Sequence, residues 1–311
     1  MKCLVTGASG FIGNALINRL TEQNNSVKAL IHTNKPKKQI KDVKYITADI
    51  TNPESLKEAC SGVEVVFHCA ALVKDYGFRK DFYKVNVKGT KNVVNACSNL
   101  KKFIYVGHIF YESEKKFGYY SQSKRLAELY LLEKYKKEKL PVIILCPGNV
   151  YGPRASTWVL RPLQAIKNKK IALINHGSGI FLHTYIDNFL DAIMLATQKP
   201  NLFGRTINIT DGDNSTTWKT YLNDLAKIVG EKPINKNISK STAILLSKLS
   251  MANYYLTRKE PLVTSTAVKI FTNKQKISIK NAENLLGYKP KIDYPKAMNY
   301  IKEWLEEEHY V

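Results

Sequence analysis

The amino-acid sequence predicts an α/β protein built around a doubly wound parallel sheet, and three observations lead to this fold class. Apolar runs of strand length alternate with segments of helical spacing through residues 1–150. These runs are apolar at nearly every position, as expected for strands that are covered on both faces. A turn rich in glycine joins the first run to the first helical segment. Together they favour a sheet with helices on both sides.

The strands and helices of this region can be placed individually. Six runs are predicted as strands, namely residues 2–6, 27–31, 43–47, 63–69, 103–106 and 142–146. Helices are predicted between them over 12–20, 53–60, 82–97 and 121–136. Asn52-Pro53 is a typical helix start, because Asn caps the free N–H groups and Pro is tolerated at the first helical position. Right-handed crossovers between such strands give the doubly wound arrangement.

The glycine turn has the spacing of a phosphate-binding loop. Gly7, Gly10 and Gly13 follow the first strand and open the first helix. In such a turn the first glycine permits the bend, the second lets a pyrophosphate approach the backbone, and the third lets helix and strand pack closely. The helix N-terminus then favours the anion. A Rossmann-type sheet that binds a dinucleotide is therefore predicted.

The second half of the chain has a different pattern, which begins after Gly152-Pro153. Helices are predicted over 158–166, from Asp187, and over 217–229, 241–256, 279–286 and 294–307, with a strand at 206–210. We expect residues 1–155, joined by 184–212, to form the dinucleotide-binding domain. Residues 156–183 and 213–311 are expected to form a smaller, mainly helical substrate-binding lobe over the carboxyl edge of the sheet. The semi-apolar stripe in 241–256 either contributes to substrate choice or packs in the core, and core packing is the favoured expectation.

The end of the second strand bears on the choice between NAD and NADP. An acidic residue there would bond the adenosine ribose of NAD. The sequence instead continues with His32, Lys35, Lys37 and Lys38, and cationic groups of this kind suit the 2′-phosphate of NADP. The alternative is a solvated lysine loop without a ligand. The prediction is NADP or NAD, with NADP favoured.

Composition excludes several function classes. The net charge is +22, but the basic residues are spread along the chain without an aromatic-interleaved module, so no specific nucleic-acid partner is predicted. The cysteines are scattered and indicate neither a disulfide framework nor a metal site. No run approaches the roughly 20 apolar residues of a membrane span. Met1-Lys2 leads directly into the first strand, so we expect a cytoplasmic protein without a signal peptide.

Further segments fit one family. They are Asp49-Ile50 after the third strand, His68-Cys69-Ala70-Ala71 after the fourth, Asn86 to Thr90, Pro147 to Arg154, and His183 to Asn188. With the glycine turn they make the sequence resemble the extended short-chain dehydrogenase/reductases, the NAD-dependent epimerase/dehydratase family, over nearly the whole chain. The expected cofactor contacts are Gly7, Ser9, Gly10, Phe11, Ile12, Gly13, His32, Lys35, Asp49, Ile50, Cys69, Ala70, Ala71, Asn86, Tyr120, Lys124, Pro147, Asn149 and Val150.

The resemblance implies a catalytic tyrosine and lysine in a YxxxK motif. The spacing occurs at six tyrosines here, so position must decide, and Tyr120 with Lys124 opens the helix after the fifth strand. One helical turn places both side chains on one face. The ammonium is expected to lower the pKa of Tyr120 so that the phenol acts as general acid and base. The family usually ends the fifth strand with Ser or Thr, whereas His108 stands here. An imidazole can also donate a hydrogen bond to a carbonyl oxygen, or it can narrow the site and impair activity.

Three functional hypotheses follow. The first is an oxidoreductase that transfers hydride between NAD(P) and a secondary alcohol or ketone, with Tyr120, Lys124 and His108 as catalytic residues. The second is a nucleotide-sugar epimerase or dehydratase that retains NAD. The third is a catalytically impaired nucleotide-binding protein, for which His108 is the main argument. The resemblance also implies a small-molecule substrate and a homodimer formed by the helices near 82–97 and 121–136.

Overall fold

The computed structural model describes residues 1–33, 39–110 and 118–310. The strands in these ranges are β1 Lys2–Thr6, β2 Ser26–Ile31, β3 Val43–Thr47, β4 Val65–His68, β5 Lys102–Val106, β6 Val142–Pro147, β7 Asn149–Tyr151, β8 Leu173–Ile174, β9 His183–Tyr185, β10 Arg205–Ile209 and β11 Asn237–Ile238. The helices are α1 Phe11–Glu22, α2 Lys57–Cys60, α3 Arg79–Phe82, α4 Gly89–Ala96, α5 Tyr119–Glu138, α6 Arg161–Lys167, α7 Ile186–Thr197, α8 Trp218–Ile228, α9 Lys240–Thr257, α10 Ser265–Thr272, α11 Lys280–Leu286 and α12 Tyr294–Glu307.

The main sheet confirms the predicted fold class. Within the described ranges it has seven strands in the order β3-β2-β1-β4-β5-β6-β10, and every neighbouring pair is parallel. The strand order reverses between β1 and β4, where Thr6 lies opposite His68. Ligands of open α/β sheets bind beside the carboxyl ends of the strands at such a reversal. The candidate site is therefore expected at the ends of β1 and β4.

The hydrophobic core lies on both faces of the sheet because successive side chains of a strand point to opposite sides. In β1, Val5 packs in the layer that also contains Leu16 of α1 and Phe189 of α7. Its neighbour Leu4 packs in the layer that contains Val93 of α4 and Leu131 of α5. This two-sided burial explains why the strand sequences read as continuous apolar runs.

Element boundaries differ from the prediction in a few places. The helix predicted from residue 82 begins at Arg79 and contains a π-helical turn over Tyr83–Lys88 before α4. Helix α10 and the short parallel pairs β7-β9 and β8-β11 were not predicted. Strands of two or three residues are too short to show a period, and α10 is a single short segment of mixed polarity.

Helix α9 contradicts the expectation that its apolar stripe packs in the core. Among its residues only Ala243 and Ser247 are buried. The side chains of Leu245, Leu249 and Leu256 are 59%, 61% and 85% exposed. They share one face of the helix, and that face points away from the packed side, so the stripe is a surface feature.

No helix among the described residues is long and apolar enough to cross a membrane.

Candidate active site

The glycine turn is built so tightly that side chains are excluded at two positions. Gly7 has a φ of +68°, and a Cβ there would lie 2.8 Å from the backbone nitrogen of Ala70. A Cβ on Gly13 would lie 2.2 Å from the carbonyl oxygen of Gly7. Gly10 is the N-cap of α1 in an extended conformation. The turn thus brings α1 directly against the end of β1.

The N-terminus of α1 fits an anionic group. No side chain caps its first turn, and that turn contains no acidic residue. Ser9 and Gly10 are exposed at the lip of the turn, with Phe11 and Ile12 half-buried behind them. Free N–H groups and the positive end of the helix dipole are the usual partners of a phosphate. The residues present therefore fit the pyrophosphate of a dinucleotide.

The imidazole of His68, at the end of β4, is fully buried. It is hydrogen-bonded to β1 and to α4 close to the point where the strand order reverses. Its Nδ1 lies 2.9 Å from Thr6 Oγ1 and its Nε2 lies 3.0 Å from Thr90 Oγ1. Thr90 donates its hydroxyl proton to the Asn86 carbonyl at 2.7 Å, so it must accept from His68 Nε2–H. Thr6 then donates to Nδ1 and accepts from the Ala70 amide. The neutral tautomer with its proton on Nε2 therefore satisfies all of these hydrogen bonds. Burial lowers the pKa of His68 to about 3.

Asn86 links the segment after β4 to the catalytic helix. Its Oδ1 accepts from the Leu72 amide at 2.7 Å, and its Nδ2 donates to the Leu72 carbonyl and to Ser123 Oγ. Ser123 in turn donates to the Tyr120 carbonyl at 2.7 Å. The Asn86 amide, which was predicted to contact cofactor, therefore has partners of its own within the protein. The sequence analysis missed Ser123, although it lies inside the YxxxK motif.

The predicted adenosine end lies at the ends of β2 and β3. His32 Nε2 is 3.7 Å from Asp49 Oδ2. Asp49 also accepts from the amide and hydroxyl of Thr51, both at 2.8 Å. Ile50 is buried, and its carbonyl accepts from Asn92. Lys35, with the neighbouring residues 34 and 36–38, lies outside the described residues.

The predicted nicotinamide end is formed by strand ends on the other side of the reversal. Cys69, Ala70 and Ala71 are half-buried directly after β4. Pro147 ends β6, and Asn149 and Val150 belong to β7, which the Asn149 amide anchors through a 2.6 Å bond to the Leu182 carbonyl. Cys69 to Ala71 directly follow the carboxyl end of β4, Pro147 is the last residue of β6, and Asn149 and Val150 lie just beyond it in β7. The predicted contacts in the described ranges therefore line the same edge of the sheet.

Tyr120, Lys124 and His108 come together above the end of β5. The rings of His108 and Tyr120 meet edge to face with centroids 5.3 Å apart. Ser121 Oγ lies 3.0 Å from His108 Nε2. The buried Lys124 donates from Nζ to the Val106 carbonyl at 2.6 Å, and Nζ lies 4.0 Å from the centroid of the Tyr105 ring. The helix thus presents a phenol and an ammonium beside an imidazole.

The protonation states of this group differ from the sequence expectation. Burial, together with the nearby Cys146 thiol, raises the pKa of Tyr120 above its ordinary value, whereas Lys124 was expected to lower it. That expectation is wrong here because the loss of solvent outweighs any effect of the ammonium. Burial lowers the pKa of Lys124 to about 8, and burial and the Lys124 charge lower that of His108 to about 4. At neutral pH the phenol is protonated and the imidazole is neutral.

Glu128 is a second feature that the sequence analysis missed. It is buried one helical turn after Lys124, with Oε1 bound to Arg125 at 2.9 Å and to Thr206 at 3.1 Å. Its Oε2 lacks a partner, and burial raises its pKa. The signal available in the sequence was that Glu128 lies four residues after Lys124, which places both side chains on the same face of the helix.

A cluster around the buried His183 joins β9 to the segment after β10. His183 Nδ1 is 2.7 Å from Asp211 Oδ2, and Nε2 is 3.3 Å from Asp213 Oδ2. Asp211 also accepts from the Tyr185 amide and from Asn188 Nδ2. Sequence reasoning identified His183 only as part of a motif, because its partners lie 28 and 30 residues later. In the described ranges no three His, Cys, Asp or Glu side chains are grouped as metal ligands.

The chain is similar to a known protein family and to named proteins. A model of the NAD dependent epimerase/dehydratase family matches residues 3–210. The chain is 26% identical to the 2-alkyl-3-oxoalkanoate reductase of Shewanella oneidensis, over 96% of this chain and 84% of the relative. It is 29% identical to the decarboxylating sterol-4-alpha-carboxylate 3-dehydrogenase of Saccharomyces cerevisiae, over 98% of this chain and 97% of the relative. Both matches span nearly all of this chain and more than four fifths of the relative.

Solved structures share the fold. The UDP-glucuronic acid 4-epimerase from Bacillus cereus, determined in complex with NAD, superimposes with a TM-score of 0.76 at 22% identity, over 99% of this chain and 100% of the other. An epimerase from Methanothermobacter thermautotrophicus gives a TM-score of 0.80 at 18% identity, over 99% of this chain and 93% of the other. At these identities the likeness concerns architecture.

Proposed function

The chain belongs to the NAD dependent epimerase/dehydratase family, and on that premise we propose that it is an NAD(P)-dependent oxidoreductase acting on a secondary alcohol or ketone. The observation that carries the proposal is the juxtaposition of Tyr120, His108 and Lys124 beside the end of β5, on the sheet edge that also holds the glycine turn. When bound, the nicotinamide supplies or takes the hydride.

The protein's residues handle the oxygen and its proton. The Tyr120 phenol exchanges a proton with the substrate oxygen. His108, which is neutral at pH 7, donates one ring N–H to the same oxygen in place of the usual hydroxyl. Lys124 would hold the ribose hydroxyls next to the nicotinamide, and its ammonium would compensate charge as the phenol loses its proton.

The protonation state of Tyr120 bears on the reduction of a ketone. Burial keeps the proton on Tyr120 at neutral pH. A protonated phenol is ready to donate to a carbonyl oxygen that gains electrons, whereas oxidation needs the tyrosinate as base.

The substrate class follows from the relatives. The names of both describe a carboxylate on the carbon next to the one that carries the reacting oxygen. A 3-oxo or 3-hydroxy carboxylic acid with an apolar substituent is thus the proposed substrate, and the basic chain suits its charge. Residues 156–183 and 213–311 would form the lobe that encloses it.

The cofactor is proposed to be NADP. The support is the lack of a carboxylate in the second strand and the basic residues that follow it, His32 and Lys35. Asp49 argues for NAD, because it lies 3.7 Å from His32 and its charge disfavours a 2′-phosphate. The choice between NADP and NAD can be tested by titrating the protein with NADPH and with NADH while its tyrosine and tryptophan fluorescence is recorded. The cofactor with the smaller dissociation constant is the preferred one.

A nucleotide-sugar epimerase is the second candidate, favoured by the segment from Pro147 to Arg154 and by the fold of the UDP-sugar epimerases. Mass spectrometry of nucleotide released from purified protein separates the two. Retained oxidised NAD and no net turnover of 3-oxo acids would support the epimerase. Dissociable NADPH, consumed in proportion to a 3-oxo acid, would support the reductase.

His108 provides the test of a catalytically impaired protein. If the histidine orients the substrate oxygen, His108→Ser retains part of the wild-type turnover, since a hydroxyl can take over the hydrogen bond. If the natural protein is inactive and His108→Ser restores turnover, the imidazole blocks the site and the proposal fails.

A homodimer is proposed on the helix faces that the resemblance indicates. On α5 the side chains of Leu126 and Leu129 are 42% and 46% exposed, and Tyr83, next to α3, is 40% exposed. Apolar side chains of this kind are usual at homodimer interfaces. Light scattering after size-exclusion chromatography should give twice the monomer mass, and Leu129→Arg should reduce it to one chain.

A further inference from the structure

A second apolar surface lies outside the helices proposed for the dimer. It consists of Leu245, Leu249 and Leu256 on α9 and of Leu262 in the segment that follows, and we name it the leucine face. Their side chains are between 59% and 96% exposed. Exposed leucines are unremarkable singly, but a contiguous group marks an interaction surface. The proposed reaction uses none of these side chains.

The helix geometry aligns these leucines. Leu249 follows Leu245 by four residues and Leu256 follows Leu249 by seven. Because a helix has 3.6 residues per turn, these spacings place all three side chains on the same side over about three turns. Ala243 and Ser247, the buried residues of α9, hold the other side against the protein. The segment with Leu262 is fixed beside the helix, because the Leu262 amide donates to Ser250 Oγ at 2.7 Å. The leucine face is thus a formed surface.

Basic residues outnumber acidic ones around the leucine face. Lys240, Lys248, Arg258 and Lys259 are all exposed. The acidic residue in the segment 240–263 is Glu260, and Tyr76 donates a hydrogen bond to it. Apolar side chains on one face with lysine and arginine around them are the pattern of a helix that lies in the plane of a membrane surface.

We infer that the leucine face seats the protein on an anionic lipid bilayer, without crossing it. The lysine and arginine side chains would contact lipid phosphates, while the leucine side chains would insert at the boundary between the headgroups and the acyl chains. A second copy of this chain is a poorer occupant, because a two-fold interface would bring the same basic rim against itself. The net charge of +22 further favours an anionic partner.

The inner side of α9, opposite the leucine face, and the segment that follows the helix pack on segments that flank the candidate active site. Tyr254 of α9 packs on Tyr76 with ring centroids 5.2 Å apart, in the segment that follows Ala70 and Ala71. Thr264 donates to Asp75 Oδ2 at 2.5 Å. A Cβ on Gly118, two residues before Tyr120, would meet Thr266 Oγ1 at 2.6 Å. A bilayer on the leucine face would therefore be separated by the width of α9 from the segments that flank the site, a nearness that suits a lipophilic substrate; this last clause rests on the proposed function.

Vesicle flotation of the full chain, without cofactor or substrate, tests the docking. We expect binding to vesicles of phosphatidylcholine with 30 mole per cent phosphatidylglycerol, on the order of tenfold or more above phosphatidylcholine alone, since each base near the surface adds about 1 kcal/mol, or roughly fivefold. The double variant Leu249→Ser with Leu262→Ser should lower binding by at least about tenfold, because each leucine loses its apolar burial.

Matched controls identify the surface. Lys248→Gln with Arg258→Gln should weaken binding, whereas Lys296→Gln with Lys302→Gln, which removes the same charge from α12, should weaken it less. Tyr310→Ser removes an exposed aromatic ring outside the leucine face and should leave binding unchanged. Circular dichroism confirms that each variant is folded, as expected for exposed positions.

Two results would overturn the inference. One is equal vesicle binding by the wild type and the leucine variant, or no binding to the anionic vesicles. The other is a loss of oligomer mass in the leucine variant without a loss of vesicle binding, which would assign the leucine face to a second copy of the chain. Neither outcome depends on turnover, so failure here is distinct from failure of the proposed reaction.

Discussion

Mild acid should destabilise this fold, and the buried imidazole of His68 should account for a measurable part of the effect. In the folded protein burial lowers the pKa of His68 to about 3, whereas the unfolded chain has the ordinary value of 6.5. Between these two values the unfolded state binds more protons, so stability rises with pH across this window and falls on acidification. At pH 5.5 the unfolded imidazole is about 90% protonated, and the lost free energy of unfolding is about 1.4 kcal/mol.

Urea unfolding at pH 7.5 and pH 5.5 measures this loss. The wild type should lose about 1.4 kcal/mol more than His68→Gln between the two pH values, a midpoint difference of roughly 0.5 M for a slope of about 3 kcal/mol/M. The variant loses hydrogen bonds to Thr6 and Thr90 at both pH values, so only the difference within each protein is compared. His309→Gln removes an exposed histidine and should behave as the wild type.

If His68→Gln is too unstable to measure, nitrogen NMR of the imidazole replaces it. The His68 ring should keep the shifts of the neutral Nε2–H tautomer down to about pH 5. An equal loss of stability in wild type and variant, or a native-state titration near pH 6.5, would refute the reasoning. Either result would mean that the Thr6–His68–Thr90 chain does not hold the ring neutral.

The remaining predictions concern the site and its supports. Tyr120→Phe should lower kcat for ketone reduction by about 10²–10⁴-fold with an unchanged unfolding midpoint, and full retained activity would exclude the phenol as proton donor. In the wild type, kcat/KM for reduction should be level from about pH 6 to 7 and fall to about half by pH 8, because Lys124, with a pKa of about 8, loses its proton while Tyr120 keeps its own. Asp211→Asn should cost about 3 kcal/mol in urea unfolding, since it weakens the buried pair with His183; a change below about 1 kcal/mol would contradict this. Gly13→Ala should raise the dissociation constant for NADPH at least tenfold or prevent folding, because its Cβ would lie 2.2 Å from a backbone oxygen, and unchanged binding would refute the tight turn.

Much of the fold could be predicted because its determinants are local in sequence. Continuous apolar runs identified the strands of the main sheet up to β6, and the glycine turn located the connection from β1 to α1. The exposed stripe of α9 was assigned wrongly, because an apolar period shows that a helix has two faces but not which face the protein covers. What covers a face depends on tertiary packing.

The site was predicted less completely than the fold, for a similar reason. The position of Tyr120 and Lys124 followed from motif order, and the structure adds the contacts that change their chemistry. Partners distant in sequence were missed, as with Asp211 for His183 and Thr90 for His68. Such pairs leave no periodic signal, and hydrogen-bond direction and burial become visible only in three dimensions.

The direction of the Tyr120 pKa shift links these observations to mechanism. At rest Lys124 donates to the Val106 carbonyl and lies over the Tyr105 ring, in a buried place where its own charge is disfavoured. It therefore does not prepare a tyrosinate in advance. Once the phenol gives its proton to a substrate oxygen, the new anion lies one helical turn from the ammonium, and attraction between them offsets part of the cost of burial for both. An ammonium arranged in this way stabilises the product of proton transfer more than the resting state, which is the difference that lowers a barrier.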